Sequence, residues 1–184
     1  MPGATTMNLQ EHYQKAVIPA LQEQFGYRNI LATPKVVKIV ANVGISSGTK
    51  DPKVLETAKE TLRLITGQQP VERKAKKSIS NFKIRQGQTV GLMVTLRGKR
   101  MYNFLEKMIN FTFPRVRDFR GLTASSFDAR GNFTIGLKEA VAFPEVKAGE
   151  LERQHGLEVT IVTTAKKKEE GVRLLTLMGM PFRS

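Results

Sequence analysis

The segment KVVKIVANV, residues 35–43, carries the clearest structural signal in the chain, because its apolar residues recur at every second position. The apolar set is Val37, Ile39, Ala41 and Val43, and the alternating set is Val36, Lys38, Val40 and Asn42. Successive side chains of a β-strand point to opposite faces of a sheet. The segment therefore predicts a strand with one fully apolar face and one mixed face.

A second strand of the same kind is predicted for TVGLMVTLR, residues 89–97. One face would carry Val90, Leu92, Val94 and Leu96, and the other Thr89, Met93, Thr95 and Arg97. A short strand is predicted near residues 71–75, and two more at residues 132–138 and 156–164, where apolar residues again alternate.

Four helices are predicted between these strands. The first helix covers residues 13–25, with a kink or a late start at Pro19. The second helix begins at Asp51-Pro52 and ends at Gly67. The third helix follows Gly98 and ends before Pro114, and the fourth starts near residue 168. The element order is αβαββαββα. This order predicts an α+β fold, a two-layer sandwich with a mostly antiparallel sheet and helices on one face, in a single domain over residues 1–184.

The charge is strongly positive and uneven. Lys plus Arg total 30 against 16 Asp plus Glu, a net charge of +14, and residues 71–120 hold 13 basic but only three acidic residues. A local basic excess on a globular composition is typical of a nucleic-acid-binding protein. A general binder of nucleic acid or acidic surfaces would fit the composition equally well.

The uncovered face of the predicted sheet is one candidate binding surface. If the helices cover the apolar faces of both strands, four polar side chains project together from the other side: Lys38, Asn42, Thr95 and Arg97. Such a set suits phosphate and ribose contacts. The alternative is a solvated face without a partner, which antiparallel sheets commonly have.

The segment RKAKKSISNFKIRQGQ, residues 73–88, is the second candidate surface, with six cationic side chains and no acid. It joins two predicted strands through a loop longer than a hairpin needs, and long loops in compact domains tend to be functional. We predict a protruding basic loop over residues 74–88 rather than an idle charged loop. Phe82 within it could stack on a base, pack on a partner or anchor the loop.

Enzyme and cofactor chemistry find little support. GISSG, residues 44–48, matches the G-x-S-x-G pattern with Ser46 as nucleophile, but the parallel sheet of such hydrolases is not predicted, so a plain Gly/Ser loop is favoured. The chain has no cysteine, and its two histidines, His12 and His155, lie far apart without carboxylates at ligand spacing. We expect no enzyme activity, metal or cofactor.

No signal peptide or membrane span is evident, since the N-terminus lacks a charged and an apolar region and no uncharged run reaches about eighteen residues. The expectation is a cytoplasmic protein without membrane contact.

Several motifs together resemble the bacterial-type large-subunit ribosomal protein five family. The resemblance rests on RKAKKSISNFKIRQGQTVGLMVTLRGKRMYNFLEKMI, PRVRDFRGL, SFDARGNFTIGLKE, FPE, GLEVTIVTTA and the terminal PF, and it runs in order from about Leu9 to Phe182. Residues 1–8 extend beyond it as a flexible N-terminal extension. The family binds 5S rRNA in the central protuberance of the large subunit, and its fold is a two-layer α+β domain.

The resemblance implies specific partners and residues. It places 5S rRNA contacts at Asn42, Gln68 and Thr95, to which the alternation adds Lys38 and Arg97. Contacts to P-site tRNA would come from Lys74, Lys76, Lys77, Ser78, Lys83 and Arg85. An inter-subunit bridge to small-subunit protein thirteen is expected near Phe143, Pro144 and Glu145. The other expected partners are 23S rRNA and neighbouring proteins of the central protuberance.

Overall fold

The computed structural model describes residues 8–45, 52–146 and 156–183. Four features named above lie outside these ranges: the first seven residues of the N-terminal extension, the candidate nucleophile Ser46, the expected helix N-cap Asp51, and His155.

The described residues form five strands in one sheet. They are β1 (Val36–Gly44), β2 (Val71–Lys74), β3 (Thr89–Leu96), β4 (Phe133–Leu137) and β5 (Leu157–Thr163). The strand order is β2-β3-β1-β5-β4, and β3 pairs antiparallel with both β1 and β2. Polar contacts join β1 to β5 near Lys35 and Thr164 at one end and at Asn42 and Glu158 at the other, so this pair is also antiparallel.

Four helices accompany the sheet in the described part of the chain. They are α1 (Leu9–His12, a π-helical turn Tyr13–Val17, then Ile18–Phe25), α2 (Pro52–Thr66), α3 (Gly98–Lys107, a π-helical turn Met108–Thr112, then Phe113–Arg115) and α4 (Lys168–Leu177). The order αβαββαββα and the α+β two-layer architecture are confirmed.

The two prolines inside helices are accommodated in the same way. Pro19 and Pro114 each occupy one of the first two positions of an α-helical segment that follows a π-helical turn. Proline has no N–H to donate, and inside a regular α-helix its ring clashes with the carbonyl four residues earlier. The wider π-helical turn changes the backbone hydrogen bonds just before each proline. The prediction that the third helix ends before Pro114 is therefore wrong, because α3 continues to Arg115.

Contacts divide the chain into two compact units. The first unit contains residues up to Lys38, Arg97–Thr134 and the residues from Ile161 onward; the second contains Ile39–Leu96 and Ile135–Thr160. In the first unit, the Tyr13 ring lies 6.4 Å from the Tyr102 ring between α1 and α3. The Tyr13 hydroxyl donates to the carbonyl of Pro34 at 3.0 Å, and burial raises the pKa of Tyr13 to about 12.

A tight turn before β4 is organised by one carboxylate of the first unit. Oδ1 of Asp128 accepts hydrogen bonds from the backbone N–H groups of Arg130 and Asn132, at 2.9 and 2.8 Å. The turn brings Gly131, with φ of +72°, against Gly171 in α4. Neither glycine has room for a side chain, so the helix and the turn approach backbone to backbone.

The start of α4 is stabilised from inside the helix. Lys167 occupies the N-cap position without a side-chain hydrogen bond to the helix. Glu170, three residues after the N-cap, accepts a bond from the N–H of Lys166, the residue before the N-cap, at 2.9 Å. Burial raises the pKa of Glu170, but the N–H groups of Lys166 and Lys167 and the Tyr27 hydroxyl outweigh it and hold this pKa below its ordinary value.

In the second unit, α2 packs on β3 and covers one face of the sheet. The buried helix residues are Ala58, Thr61, Leu62, Ile65 and Thr66, and the buried strand residues include Ile39, Ala41, Val43, Leu92, Val94 and Leu96. Gly67, with φ of +65°, ends α2 by donating its N–H to the carbonyl of Arg63 at 2.8 Å, as predicted for a helix C-cap.

We predict that Gly171→Ala destabilises the protein although alanine normally favours a helix over glycine by about 1 kcal/mol. The added Cβ would lie 2.5 Å from the carbonyl oxygen of Gly131 and 2.6 Å from its Cα. The turn or the helix would have to move to avoid this backbone clash. We expect that shift to lower the free energy of unfolding by about 1–3 kcal/mol, as measured by urea denaturation.

The matched control is Gly136→Ala in β4, where an added Cβ meets nothing within 4 Å. This change should alter the free energy of unfolding by less than about 0.5 kcal/mol. A Gly171→Ala protein as stable as the control would contradict the close approach of the turn to α4.

Candidate nucleic-acid interface

One face of the paired strands β1 and β3 is left uncovered in the second unit. Ile39, Ala41 and Val43 are at most 1% exposed on the covered face, whereas Val40 and Asn42 between them are half-buried. The same alternation runs through β3, where Met93 and Thr95 are half-buried. The sheet therefore has an open face, defined here as Val40, Asn42, Met93, Thr95 and the residues beside them.

The antiparallel register brings the predicted polar residues together on this open face. Val40 lies directly opposite Thr95, and Asn42 directly opposite Met93. Thr95 and Asn42 are thus diagonal neighbours across the two strands, a spacing of about 7–8 Å between Cα atoms in such sheets.

Gln68 joins this group from the end of α2. Its Nε2 donates a hydrogen bond to the backbone carbonyl of Thr95 at 3.2 Å. The turn at Gly67 directs the chain back toward β3, and the N–H of Gln68 donates to the hydroxyl of Thr66 at 3.3 Å. The three residues that the resemblance implies, Asn42, Gln68 and Thr95, therefore lie in one cluster.

Lys38 and Arg97 belong to the first compact unit, each one residue beyond the paired segment that ends at Ile39 and Leu96. Lys38 is half-buried and Arg97 is exposed. Arg97 has extended backbone and occupies the N-cap position of α3 without a capping side-chain bond.

Sequence reasoning missed Glu158, an exposed residue of β5 whose carboxylate shares the open face. Nδ2 of Asn42 donates to Oε2 of Glu158 at 3.4 Å. A signal was present, because the alternation in GLEVTIVTT places Glu158 on the polar face of its strand. The position of β5 next to β1 was not predicted, and it is what brings the carboxylate to Asn42.

The basic segment between β2 and β3 folds back as a hydrogen-bonded hairpin. At its base, the N–H of Ala75 donates to the carbonyl of Gln88 at 2.8 Å, and Gly87 returns a bond to Ala75 at 2.9 Å. Near its tip, Ile79 and Ile84 form an antiparallel bridge with both backbone bonds, at 2.9 and 3.1 Å. We call residues 74–88 the basic arm.

The basic arm exposes nearly all of its side chains. The exposed residues include Lys74, Lys76, Lys77, Ser78, Lys83 and Arg85. Ser78 also has a local role, since its hydroxyl accepts the N–H of Gln86 at 2.9 Å. Ile79 is 46% and Phe82 63% exposed, so two apolar side chains stand among the cations. Of the three interpretations of Phe82, the loop anchor loses support, because most of its ring is uncovered.

Glu72, two residues before the basic arm, forms hydrogen bonds on the covered side of the sheet. This residue accepts hydrogen bonds from Nζ of Lys59 in α2 at 3.3 Å and from the Thr89 hydroxyl in β3 at 3.2 Å. The bonds from Lys59 and Thr89 hold the pKa of Glu72 below its ordinary value. The acid therefore faces α2 and not the exposed surface of the arm.

The expected bridge segment lies in the second unit after a short 3₁₀ turn, Ala140–Ala142. Phe143 is fully buried, with 0% exposure, while Pro144 and Glu145 are exposed. In this conformation the Phe143 side chain has no surface to offer a partner, because it fills the core beneath the segment. The surface of the segment is provided by Pro144 and Glu145.

The described residues contain no group of three or more His, Asp or Glu side chains placed to hold a metal ion. None of the helices in these same ranges is long and apolar enough to cross a membrane. His12 is half-buried and not a free surface residue, since its Nε2 bonds the carbonyl of Leu177 at 3.0 Å.

Comparisons with known proteins agree over nearly the whole chain. A family model described as Ribosomal protein L5 matches residues 29–85, and a model for the C-terminus of the same ribosomal family matches residues 89–182. The protein named large ribosomal subunit protein uL5 from Dictyoglomus turgidum is 53% identical over 175 residues, covering 95% of this chain and 98% of its own.

Two further relatives carry the same name. The one from Microcystis aeruginosa is 51% identical over 178 residues, covering 97% of this chain and 99% of its own. The one from Thermotoga maritima is 53% identical over 175 residues, covering 95% of each chain.

We predict that Lys59→Met raises the pKa of Glu72 toward its ordinary value of 4.5, because the hydrogen bond from Lys59 contributes most to lowering this pKa. A carboxylate with a depressed pKa stabilises the fold above its unfolded pKa, and this contribution is lost as the pH falls through the folded value. NMR titration of the Glu72 carboxyl carbon between pH 2 and 7 measures the shift. Thr89→Val is the control that removes only the second bond and should raise this pKa less.

Proposed function

The chain belongs to the ribosomal protein L5 family, and we propose that its open face binds 5S rRNA and helps to attach it to the large subunit. Family membership makes the chain a structural constituent of the large ribosomal subunit, and therefore a cytoplasmic, non-catalytic component of translation. The serine hydrolase reading of Ser46 has no place in such a protein.

The observation that carries the 5S rRNA proposal is the cluster of Asn42 and Thr95 on an uncovered sheet face, with Gln68 bonded to the backbone of Thr95. Backbone pairing of β1 with β3 fixes Asn42 relative to Thr95, and the bond from Nε2 of Gln68 to the Thr95 carbonyl fixes the residue that follows α2. Amide and hydroxyl groups on a rigid, open sheet are suited to sugar and base contacts. Lys38 and Arg97 would add phosphate contacts where the paired strands end.

We further propose that the basic arm contacts the P-site tRNA. Its five exposed cations have no acid among them, so they can approach a polyanion without internal competition. The backbone ladder at its base and tip gives the arm a defined conformation. Phe82, exposed beside these cations, is placed to stack on a nucleotide base.

The segment around Pro144 and Glu145 is proposed as the surface that bridges to small-subunit protein thirteen. Both residues are exposed, and the buried Phe143 anchors them to the core of the second unit. Remaining basic surface would contact 23S rRNA and neighbouring proteins of the central protuberance.

A general nucleic-acid binder is the second candidate, favoured only by the net charge of +14. Such a protein would bind 5S rRNA little better than an unrelated duplex RNA of the same length. Competition between these two RNAs for the full chain separates the two functions.

We predict that Asn42→Ala and Thr95→Ala each weaken binding to isolated 5S rRNA by about threefold to tenfold, as expected for one lost hydrogen bond. The control removes charge and not the cluster: a variant with Lys76, Lys77, Lys83 and Arg85 changed to Gln should bind 5S rRNA nearly as tightly as the unchanged chain. Filter binding or calorimetry gives both Kd values. Equal losses from the two kinds of variant would show that the open face has no special role.

The same four-residue variant of the basic arm should lower the affinity of reconstituted large subunits for P-site tRNA by tenfold or more. Its tRNA binding should also become less sensitive to salt, because each lost phosphate contact reduces the slope of log affinity against log salt by about 0.7–0.9. The 5S rRNA content of the subunits is the internal control. Unchanged tRNA affinity at unchanged 5S content would contradict the proposed tRNA contact.

A further inference from the structure

Two carboxamides near Thr95, one on the open face and one just after α2, are oriented in the same way. Asn42 faces a carboxylate oxygen of Glu158, and Gln68 faces the backbone carbonyl of Thr95. Both of these oxygens can only accept hydrogen bonds, so each amide must turn its NH₂ group toward the protein. The chemistry of the partners therefore fixes which end of each amide is engaged.

The carbonyl oxygens of both amides remain to bind a ligand. Within the described residues, neither Oδ1 of Asn42 nor Oε1 of Gln68 accepts a hydrogen bond, although both side chains are half-buried at the surface of the sheet. Two oriented acceptors, one on the open face and one bonded to the backbone of the same β3 strand, are complementary to hydrogen-bond donors. They would not favour a phosphate, which has only acceptor oxygens.

The charges around Asn42 also favour hydrogen-bond donors over phosphate groups as its ligands. Around the cluster, Val40, Met93 and Thr95 are neutral, and the charged side chain beside Asn42 is the carboxylate of Glu158. A carboxylate at this position repels a phosphate placed over it. Cations stand outside this neutral centre: Lys38 and Arg97 lie just beyond the paired segment, Arg73 of β2 lies opposite Gly91, and the others lie along the basic arm.

We infer that the open face recognises RNA by its hydrogen-bond donors, namely 2′-hydroxyl groups and the exocyclic amino groups of bases, and that Glu158 is a positioning residue that orients Asn42 for this contact. The inference rests on the proposed 5S rRNA function and deepens it. An A-form RNA helix presents these donors in its wide and shallow minor groove, which a sheet face can approach directly. The guanine amino group is the base donor in that groove.

A carboxylate such as Glu158 is not expected on a surface that binds RNA, because both carry negative charge. A carboxylate on an RNA-binding face should weaken attraction to a polyanion, yet it holds the NH₂ group of Asn42 at 3.4 Å. A glutamine at this position could accept from or donate to Asn42. The Asn42 amide could then turn over and present its NH₂ group in place of the acceptor oxygen.

The first test compares RNA with and without the 2′-hydroxyl donor. The segment of 5S rRNA that the full chain protects from hydroxyl radicals is replaced by a synthetic segment carrying 2′-fluoro groups, which keep the A-form sugar but cannot donate. We expect the Kd of the unchanged chain to rise about tenfold, the effect of losing two or so hydrogen bonds. An unchanged Kd would overturn the inference.

The second test measures whether Glu158 acts through this contact. In Glu158→Gln the ratio of the two Kd values, 2′-fluoro over 2′-hydroxyl RNA, should fall from about tenfold to about threefold, since one oriented acceptor is lost. Asn42→Ala should reduce the ratio similarly. Glu169→Gln, which removes the same charge from an exposed acid of α4, should keep the full ratio.

Because both RNAs carry the same phosphates, this ratio is insensitive to the charge change itself. A ratio in Glu158→Gln equal to that of the unchanged chain would overturn the positioning role. Failure of the proposed function gives a different result, since the unchanged chain would then protect no segment of 5S rRNA and show no preference over unrelated duplex RNA.

Discussion

The antiparallel pairing of β1 with β3 is the constraint from which the candidate interface follows. Its register sets Val40 opposite Thr95 and Asn42 opposite Met93, and a slip of one residue would turn the polar row into the covered side. The pairing also requires a glycine where Gly91 meets Gly44, because a Cβ at Gly91 would lie 2.9 Å from the carbonyl oxygen of Val43. The base of the basic arm leads directly into the first residue of the same strand, Thr89 of β3.

Charge is divided between two surfaces with different chemistry. The open face combines neutral hydrogen-bonding groups with the carboxylate of Glu158, whereas the basic arm has cations without any acid. Glu72, the acid nearest the arm along the chain, is held on the covered side by Lys59 and Thr89. The acceptors and the cations are therefore held apart, because the basic arm lies beyond the ends of β2 and β3, and the proposed contacts with two different RNAs require this separation.

Much of the fold was predictable because it rests on local periodicity. Alternation identified β1 and β3 and placed Asn42 and Thr95 on the same face, and Gly67 marked the end of α2. The end of α3 was predicted wrongly, because the π-helical turn before Pro114 leaves no signature in a search for 3.6-residue periodicity. The burial of Phe143 was also missed, since a family resemblance transfers a position without its exposure.

A period of two residues is a property of the chain itself, so the amino-acid sequence alone was enough to identify the strands, the polar side of β1 from Ile39 onward and the acid-free arm. At the start of β1 the assignment was wrong, because Val36 is buried and Val37 is half-buried. The sequence could not tell which strands become neighbours. Asn42 and Glu158 lie 116 residues apart, and Gln68 and Thr95 lie 27 apart, yet each pair shares a hydrogen bond. These contacts arise because backbone pairing and the packing of α2 are cooperative, non-local interactions, and they orient the amides of Asn42 and Gln68.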